Sequence, residues 1–205
     1  MITAVLLAAG SARRFDGSQK LLALVPTADG PAPLVRLSVS ALLDAGLTHI
    51  VVVIGRDAEG VRASLAGLDV RFVLNEEHAT GLSSSLRIGV SEATRVWPTD
   101  DALLIALGDQ PLTGSGVLES ILRTVAERGK RSIVAPRFRG ELGNPVLFPR
   151  ALVPELLEVS GDRGARGVVE RYQSRVHYVD FDSAMPPDVD TVSDLAALTT
   201  RSRSE

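Results

Sequence analysis

The chain contains no cysteine, which removes disulfides, thiolate zinc sites and cysteine nucleophiles at one stroke. Its histidines are only His49, His78 and His177, and no two of them have the spacing of a metal site. His49 reads as a strand-start residue, His78 as a surface loop residue and His177 as an edge-strand residue. An excess of basic charge is missing too: 22 Lys and Arg are scattered among 25 Asp and Glu, for a net charge of −3. Neither a nucleic-acid backbone nor an anionic membrane is therefore an expected partner, and any nucleotide bound should be small. The N-terminal apolar stretch lacks a basic leader and is far too short to span a bilayer, so a cytoplasmic location is the default expectation. No G-x-S-x-G elbow occurs, which sets aside that class of serine hydrolase. Carboxylate-pair glycosidase chemistry is compatible with the composition but leaves the arginine-rich glycine loop near the start without a purpose.

What is present is a chain of 205 residues with 45% hydrophobic content, enough for one sizeable core, so 1–205 is read as a single domain. Ile2 to Ala8 is apolar at nearly every position, the pattern of a strand covered on both faces. The pattern returns at 49–54 (HIVVVI), 70–74 (VRFVL), 102–107 (ALLIAL) and, more weakly, 132–135. Between these lie amphipathic stretches at 34–45 stopped by Gly46, 58–65, 83–93, and 117–127 stopped by Gly129. Such alternation predicts an α/β fold with right-handed crossovers, a mainly parallel sheet, helices on both faces, and a ligand site beyond the carboxyl ends of the strands. After about Arg137 the alternation breaks down: a Gly- and Pro-bearing segment leads to a helix candidate near 151–158, GDRGARGVVERY at 161–172 and a strand candidate at 175–181. We divide the chain into 1–136, an elaboration over 137–198, and a polar tail over 199–205.

The loop LAAGSARRF, Leu7 to Phe15, follows the first strand. It fails as a dinucleotide fingerprint, because Gly10 stands alone until Gly17, and as an ATPase loop, because Gly17 and Lys20 are separated by Ser18 and Gln19. What remains is a loop whose backbone N–H groups, with Arg13, Arg14 and Lys20, could wrap a polyphosphate; the plainer reading is a strand end with solvated arginines. Asp109 emerges from a buried strand in LGDQP, where it would serve as a hard oxygen ligand for Mg²⁺ or as a turn former beside Pro111. Asp190, with Asp188 two positions earlier, is a second candidate acid. NEEHATGLSSSL at 75–86 runs from a strand end into a helix, with Ser83 or Ser84 as the N-cap and Gly81 permitting close approach of a planar ligand.

Taken in order, LAAG with a following Arg and Lys, GLSSSL, LGDQP, GNPVLF, GDRGAR and DVDTVSDL resemble the nucleotidyltransferases that activate the molybdenum cofactor, most closely the cytidylyltransferase branch of the MobA-like NTP transferases. The resemblance extends over nearly the whole chain. It implies a Rossmann-like three-layer α/β/α fold of the nucleotide-diphospho-sugar transferase type, with 1–136 as the nucleotide-binding half and 137–198 on the acceptor side. The implied reaction moves CMP from CTP to the terminal phosphate of molybdopterin, releases pyrophosphate and uses Mg²⁺. By the same resemblance Leu7, Ala8, Ala9 and Gly10 lie against base and ribose, with Ser11 and Asn75 in the nucleotide set, and Arg14 and Lys20 hold the triphosphate. Gly81 and Ser84 approach the base, Asp109 and Asp190 bind the metal, and Asn144 and Arg166 face the pterin. Arg14, Lys20 and Asp109 form the implied catalytic set, and Ala9 in LAAG points to CTP over GTP. The implied partners are CTP or another NTP, the molybdopterin cofactor, and a molybdoenzyme or its chaperone in transient contact.

Three positions depart from the family's pattern. Ala12 stands where the loop usually has serine, Asp16 where it has glycine, and Asn144 where related cytidylyltransferases usually carry histidine. The alternatives left open are a guanylyltransferase of the same pathway, a sugar- or polyol-phosphate nucleotidyltransferase, and a nucleotide-sensing or cofactor-carrier protein without turnover.

Overall fold

The structure is a computed structural model, which describes residues 1–10, 20–110 and 116–185. In chain order the elements are β1 (Ile2–Ala8), a 3-10 turn (Lys20–Leu22), β2 (Leu24–Val25), β3 (Ala32–Pro33), α1 (Leu34–Asp44), β4 (His49–Ile54) and α2 (Ala58–Ser64). Next come β5 (Arg71–Leu74), a 3-10 turn (His78–Thr80), α3 (Leu82–Val96), β6 (Ala102–Leu107), α4 (Val117–Arg128), β7 (Ile133–Phe138) and β8 (Glu141–Leu142). β9 (Val146–Pro149), α5 (Val153–Leu157), α6 (Arg166–Arg171) and β10 (Val176–Phe181) complete the described fold. The main sheet runs β10-β7-β9-β6-β1-β4-β5, with β8 paired to β7 and β2-β3 a separate ribbon.

The sheet is mainly parallel, as its strand patterns predict, and the alternation of side chains along each strand builds two cores. Ala4, Leu6 and Ala8 of β1 meet α1, α2 and α4 through Val39, Leu42, Val61 and Ile121 on one face. Val5, Leu7 and Ala9 meet α3, α5 and α6 through Leu86, Val90, Leu156 and Val169 on the other. Each fully buried Leu, Ile or Val contributes about 1.5–3 kcal/mol, and β1, β4 and β6 are buried along almost their whole length. Gly89 lets α3 lie hard against the sheet: a Cβ there would come within 2.5 Å of Val5 Cγ1 and 2.7 Å of Val53 Cγ2.

Two features differ from the sequence expectation. α3 begins at Leu82 with Gly81 as its N-cap at φ 114°, a backbone conformation that costs a side-chain-bearing residue dearly, so the cap is neither Ser83 nor Ser84. The segment after Arg137 also enters the sheet itself: β9 runs antiparallel between β6 and β7. The three apolar residues between Pro145 and Pro149 give too short a pattern to announce a strand, and only their neighbours make one.

At the amino edge of the sheet, the buried Asp100 accepts a hydrogen bond from Thr3 Oγ1 (2.7 Å) and faces His49 Nδ1 (2.7 Å), while the His49 ring stacks on Trp97 at 4.5 Å. His49 is thus a strand-start residue with a structural task. No helix among the described residues is long and apolar enough to cross a membrane.

Candidate functional site

β1, β4 and β6 end in register, with Ala8 opposite Ile54 and Leu7 opposite Leu107, so Ala9, Gly55 and Gly108 emerge side by side at the carboxyl edge. Their crowding explains their size. A Cβ on Gly55 would lie 2.7 Å from the Ala9 carbonyl oxygen and 2.9 Å from His78 Cβ, and one on Gly108 would lie 3.2 Å from Ala8 Cβ. Gly10, by contrast, is exposed, with open space where a side chain would project. Leu7, Ala8 and Ala9 direct their side chains into the two cores, so this edge offers a ligand backbone groups and the bare face of Gly10.

Beside that edge the structure joins two residues 89 positions apart: Lys20 Nζ donates to Asp109 Oδ2 at 2.8 Å. The lysine side chain is 9% exposed and the carboxylate 31%. Asp109 is held from behind. The Gly108 N–H donates to the Leu7 carbonyl (2.9 Å), and the buried Ser38 hydroxyl of α1 donates to the Gly108 carbonyl (3.1 Å). Ser38 is a support that sequence reasoning missed, because its polarity on the apolar face of α1 carries no positional signal.

On the other side of β1, Asn75 closes β5 and is fully buried. Its Nδ2 donates to both Ser84 Oγ and Ser85 Oγ (2.9 Å each), and its Oδ1 accepts the Glu77 N–H (2.9 Å). Ser84 in turn donates to the Gly81 carbonyl at 2.9 Å. Ser83 donates to the carbonyl of Gly161, and Arg87 Nη1 to that of Val159 (2.7 Å). The run of serines therefore binds the start of α3 both to the loop before it and to the GDRG segment. A Cβ on Gly164 would meet Leu82 Cδ2 at 2.9 Å, so the two segments lie in contact. Among the described residues no side chain caps the first turn of α3, whose N–H groups and positive dipole end lie at this carboxyl edge.

β9 runs antiparallel to β6 with Val146 opposite Ile105, so Asn144, just ahead of it, comes beside the end of β6 that leads to Asp109. Arg166 is exposed, and its Nη2 donates to the Leu142 carbonyl (3.1 Å), drawing α6 to the same turn. His78 is half-buried beside Gly55, and its Nδ1 has no hydrogen-bond partner among the described residues. Ser11, Arg14 and Asp190, with Ala12 and Asp16, lie outside the described residues. Among the described residues no group of three or more His, Asp or Glu is gathered to hold a metal. Asp109 does fit one carboxylate ligand of a hard cation that keeps waters and takes further oxygens from phosphates.

The sequence pattern of the MobA-like NTP transferase domain matches residues 4–176. Nicotine blue oxidoreductase of Paenarthrobacter nicotinovorans is 30% identical over 204 residues, spanning 96% of each chain. Rv0371c of Mycobacterium tuberculosis H37Rv, solved in complex with manganese, superposes with a TM-score of 0.73 at 29% identity, covering 97% of this chain and 98% of that one. A nucleotidyl transferase (Mth528) of Methanothermobacter thermautotroptrophicus superposes with a TM-score of 0.79 at 26% identity, covering 100% and 99%.

Proposed function

The chain belongs to the MobA-like NTP transferase family, and from that premise we propose that this nucleotidyltransferase transfers CMP from CTP to the terminal phosphate of the molybdopterin cofactor, releasing pyrophosphate. The observation that carries the reading is the Lys20–Asp109 pair at the carboxyl edge, flanked by the uncapped start of α3. An acceptor phosphate oxygen attacks the α-phosphorus, a new P–O bond forms, the bridging α–β P–O bond breaks, and its electron pair leaves on pyrophosphate. The acceptor is already ionised, so no general base is needed; the task is to bring anions together and neutralise the leaving group.

Lys20, with Arg14, would hold the triphosphate, and the backbone of Leu7 to Gly10, Ser11 and the Gly81–Ser84 turn would receive the nucleoside. Asn75 serves this site by fixing that turn through its two serine hydrogen bonds. Asp109 and Asp190 would hold a divalent cation, which when bound supplies charge neutralisation at the phosphates. The manganese in the Rv0371c complex supports a divalent cation of this kind, and Mg²⁺ is the one proposed here. Asn144 and Arg166 would face the pterin. The choice of cytosine rests on Ala9 in LAAG.

The test is pyrophosphate release by the purified protein with Mg²⁺, molybdopterin cofactor and each of the four NTPs. CTP-dependent release is expected; preference for GTP would overturn the base assignment, and release only with a sugar or polyol phosphate would overturn the acceptor. CTP binding without release under any acceptor would point to a sensor or carrier. A second reading, an oxidoreductase, is favoured by the end-to-end match to the nicotine blue enzyme. The absent glycine fingerprint weighs against a nicotinamide dinucleotide site of the Rossmann type. Bleaching of nicotine blue with reduced nicotinamide nucleotide, followed by absorbance, decides it.

A further inference from the structure

Lys20 is buried, and its ammonium lies 2.8 Å from the carboxylate oxygen that the proposed function assigns to a divalent cation. An ammonium and a divalent cation brought to the same carboxylate repel each other at short range. Within a partly desolvated site their mutual repulsion is poorly screened. The two partners differ in how they are anchored. Asp109 follows a glycine anchored by hydrogen bonds to β1 and α1. Lys20 extends from a 3-10 turn on a flexible four-carbon stem, so its ammonium can turn away while the turn stays in place.

We propose that Lys20 is a built-in competitor for the metal position, holding Asp109 against free cation until a triphosphate draws the ammonium away. Cation and triphosphate then bind synergistically, and each raises the affinity of the other by the same factor. Without nucleotide, the carboxylate keeps a partner and is not left as an unpaired, partly buried charge. The inference rests on the proposed assignment of Asp109 to the metal and Lys20 to the triphosphate, and its test separates the two.

The test is Mn²⁺ binding to the full chain by electron paramagnetic resonance, alone and with inorganic triphosphate, after subtracting Mn²⁺ taken up by the triphosphate itself. Lys20→Met is expected to bind Mn²⁺ alone about tenfold more tightly than the wild type, about 1.4 kcal/mol, and to show little further gain when triphosphate is added. The wild type should gain on adding triphosphate. Equal or weaker Mn²⁺ binding by a folded Lys20→Met overturns the competition. Asp109→Asn provides the reciprocal measurement, free of any doubt over Lys20→Met folding. By replacing the ion pair with a weaker, neutral hydrogen bond to Lys20, it should bind metal-free triphosphate more tightly than the wild type, and weaker binding overturns the proposal. If Asp109→Asn keeps wild-type Mn²⁺ affinity, the metal assignment itself fails.

Discussion

Replacing Asn75 by Ala should loosen the turn at the start of α3 and measurably destabilise the protein. Its side chain makes three hydrogen bonds from a fully buried position: two to Ser84 and Ser85, one from the Glu77 N–H. A buried hydrogen bond contributes a net of about 0.5–1.5 kcal/mol. Ser84 retains the Gly81 carbonyl as partner, which softens the loss on that side. The Glu77 N–H is only partly buried and regains some solvation from water. With the lost packing of the side chain, the expected cost is about 2–4 kcal/mol, a fall in Tm of about 5–15 °C for a chain of this size. Urea and thermal denaturation followed by circular dichroism measure it. Amide exchange should quicken most at 76–84, and Ser85→Ala, which deletes one of the three bonds, should cost about 1 kcal/mol. A loss below about 0.5 kcal/mol for Asn75→Ala, or faster exchange spread evenly over the chain, would refute the view that this residue is the tie of the turn.

Gly89→Ala introduces a methyl group that collides with Val5 and Val53. Overpacking of about 1–3 kcal/mol outweighs a helix-propensity gain of up to about 1 kcal/mol, so Tm should fall; a stabilised variant would show that α3 can retreat from the sheet at no cost. Glu92 on α3 is held down to a pKa of about 2, first by its hydrogen bonds from Arg95 and then, against the opposing effect of burial, by Arg71 of β5. Its folded pKa lies below its ordinary 4.5, so its contribution is fully present above that value and fades as pH falls towards 2. Both arginines are well exposed, so the contribution is about 1 kcal/mol. In urea titrations Glu92→Gln should be less stable than wild type at pH 7, and the gap should close below pH 4.5; a pH-independent gap contradicts the assignment. Asp109→Asn should lower pyrophosphate release by about 10²-fold or more, while its amide oxygen keeps a partner for Lys20 and limits the stability loss to about 1–2 kcal/mol. Retained turnover would remove Asp109 from the reaction.

Much of the scaffold was legible because it is written in local periodicity. The near-continuous apolar runs of β1, β4 and β6 can satisfy themselves only between two helical layers, and Gly46 and Gly129 sit just beyond α1 and α4 in the positive-φ conformation that ends helices. Six motifs in family order named the candidate site residues, and of these segments the structure brings Lys20 to Asp109 and GDRG to GLSSSL. The N-cap of α3 was misread because serine is the commoner cap, whereas here the serine hydroxyls are spent on Asn75, Gly81 and Gly161.

By itself the sequence determined the layered α/β class and the residue types that gather at the carboxyl edge of the sheet. These follow from side-chain period, glycine placement and charge, which are properties of neighbours along the chain. Only the tertiary structure decided that β9 slots antiparallel between β6 and β7, that Ser38 braces Asp109, and that Lys20 rests on that carboxylate. Each of these joins residues distant in sequence, and such contacts are chosen by which surfaces remain to be buried once the helices and strands have packed.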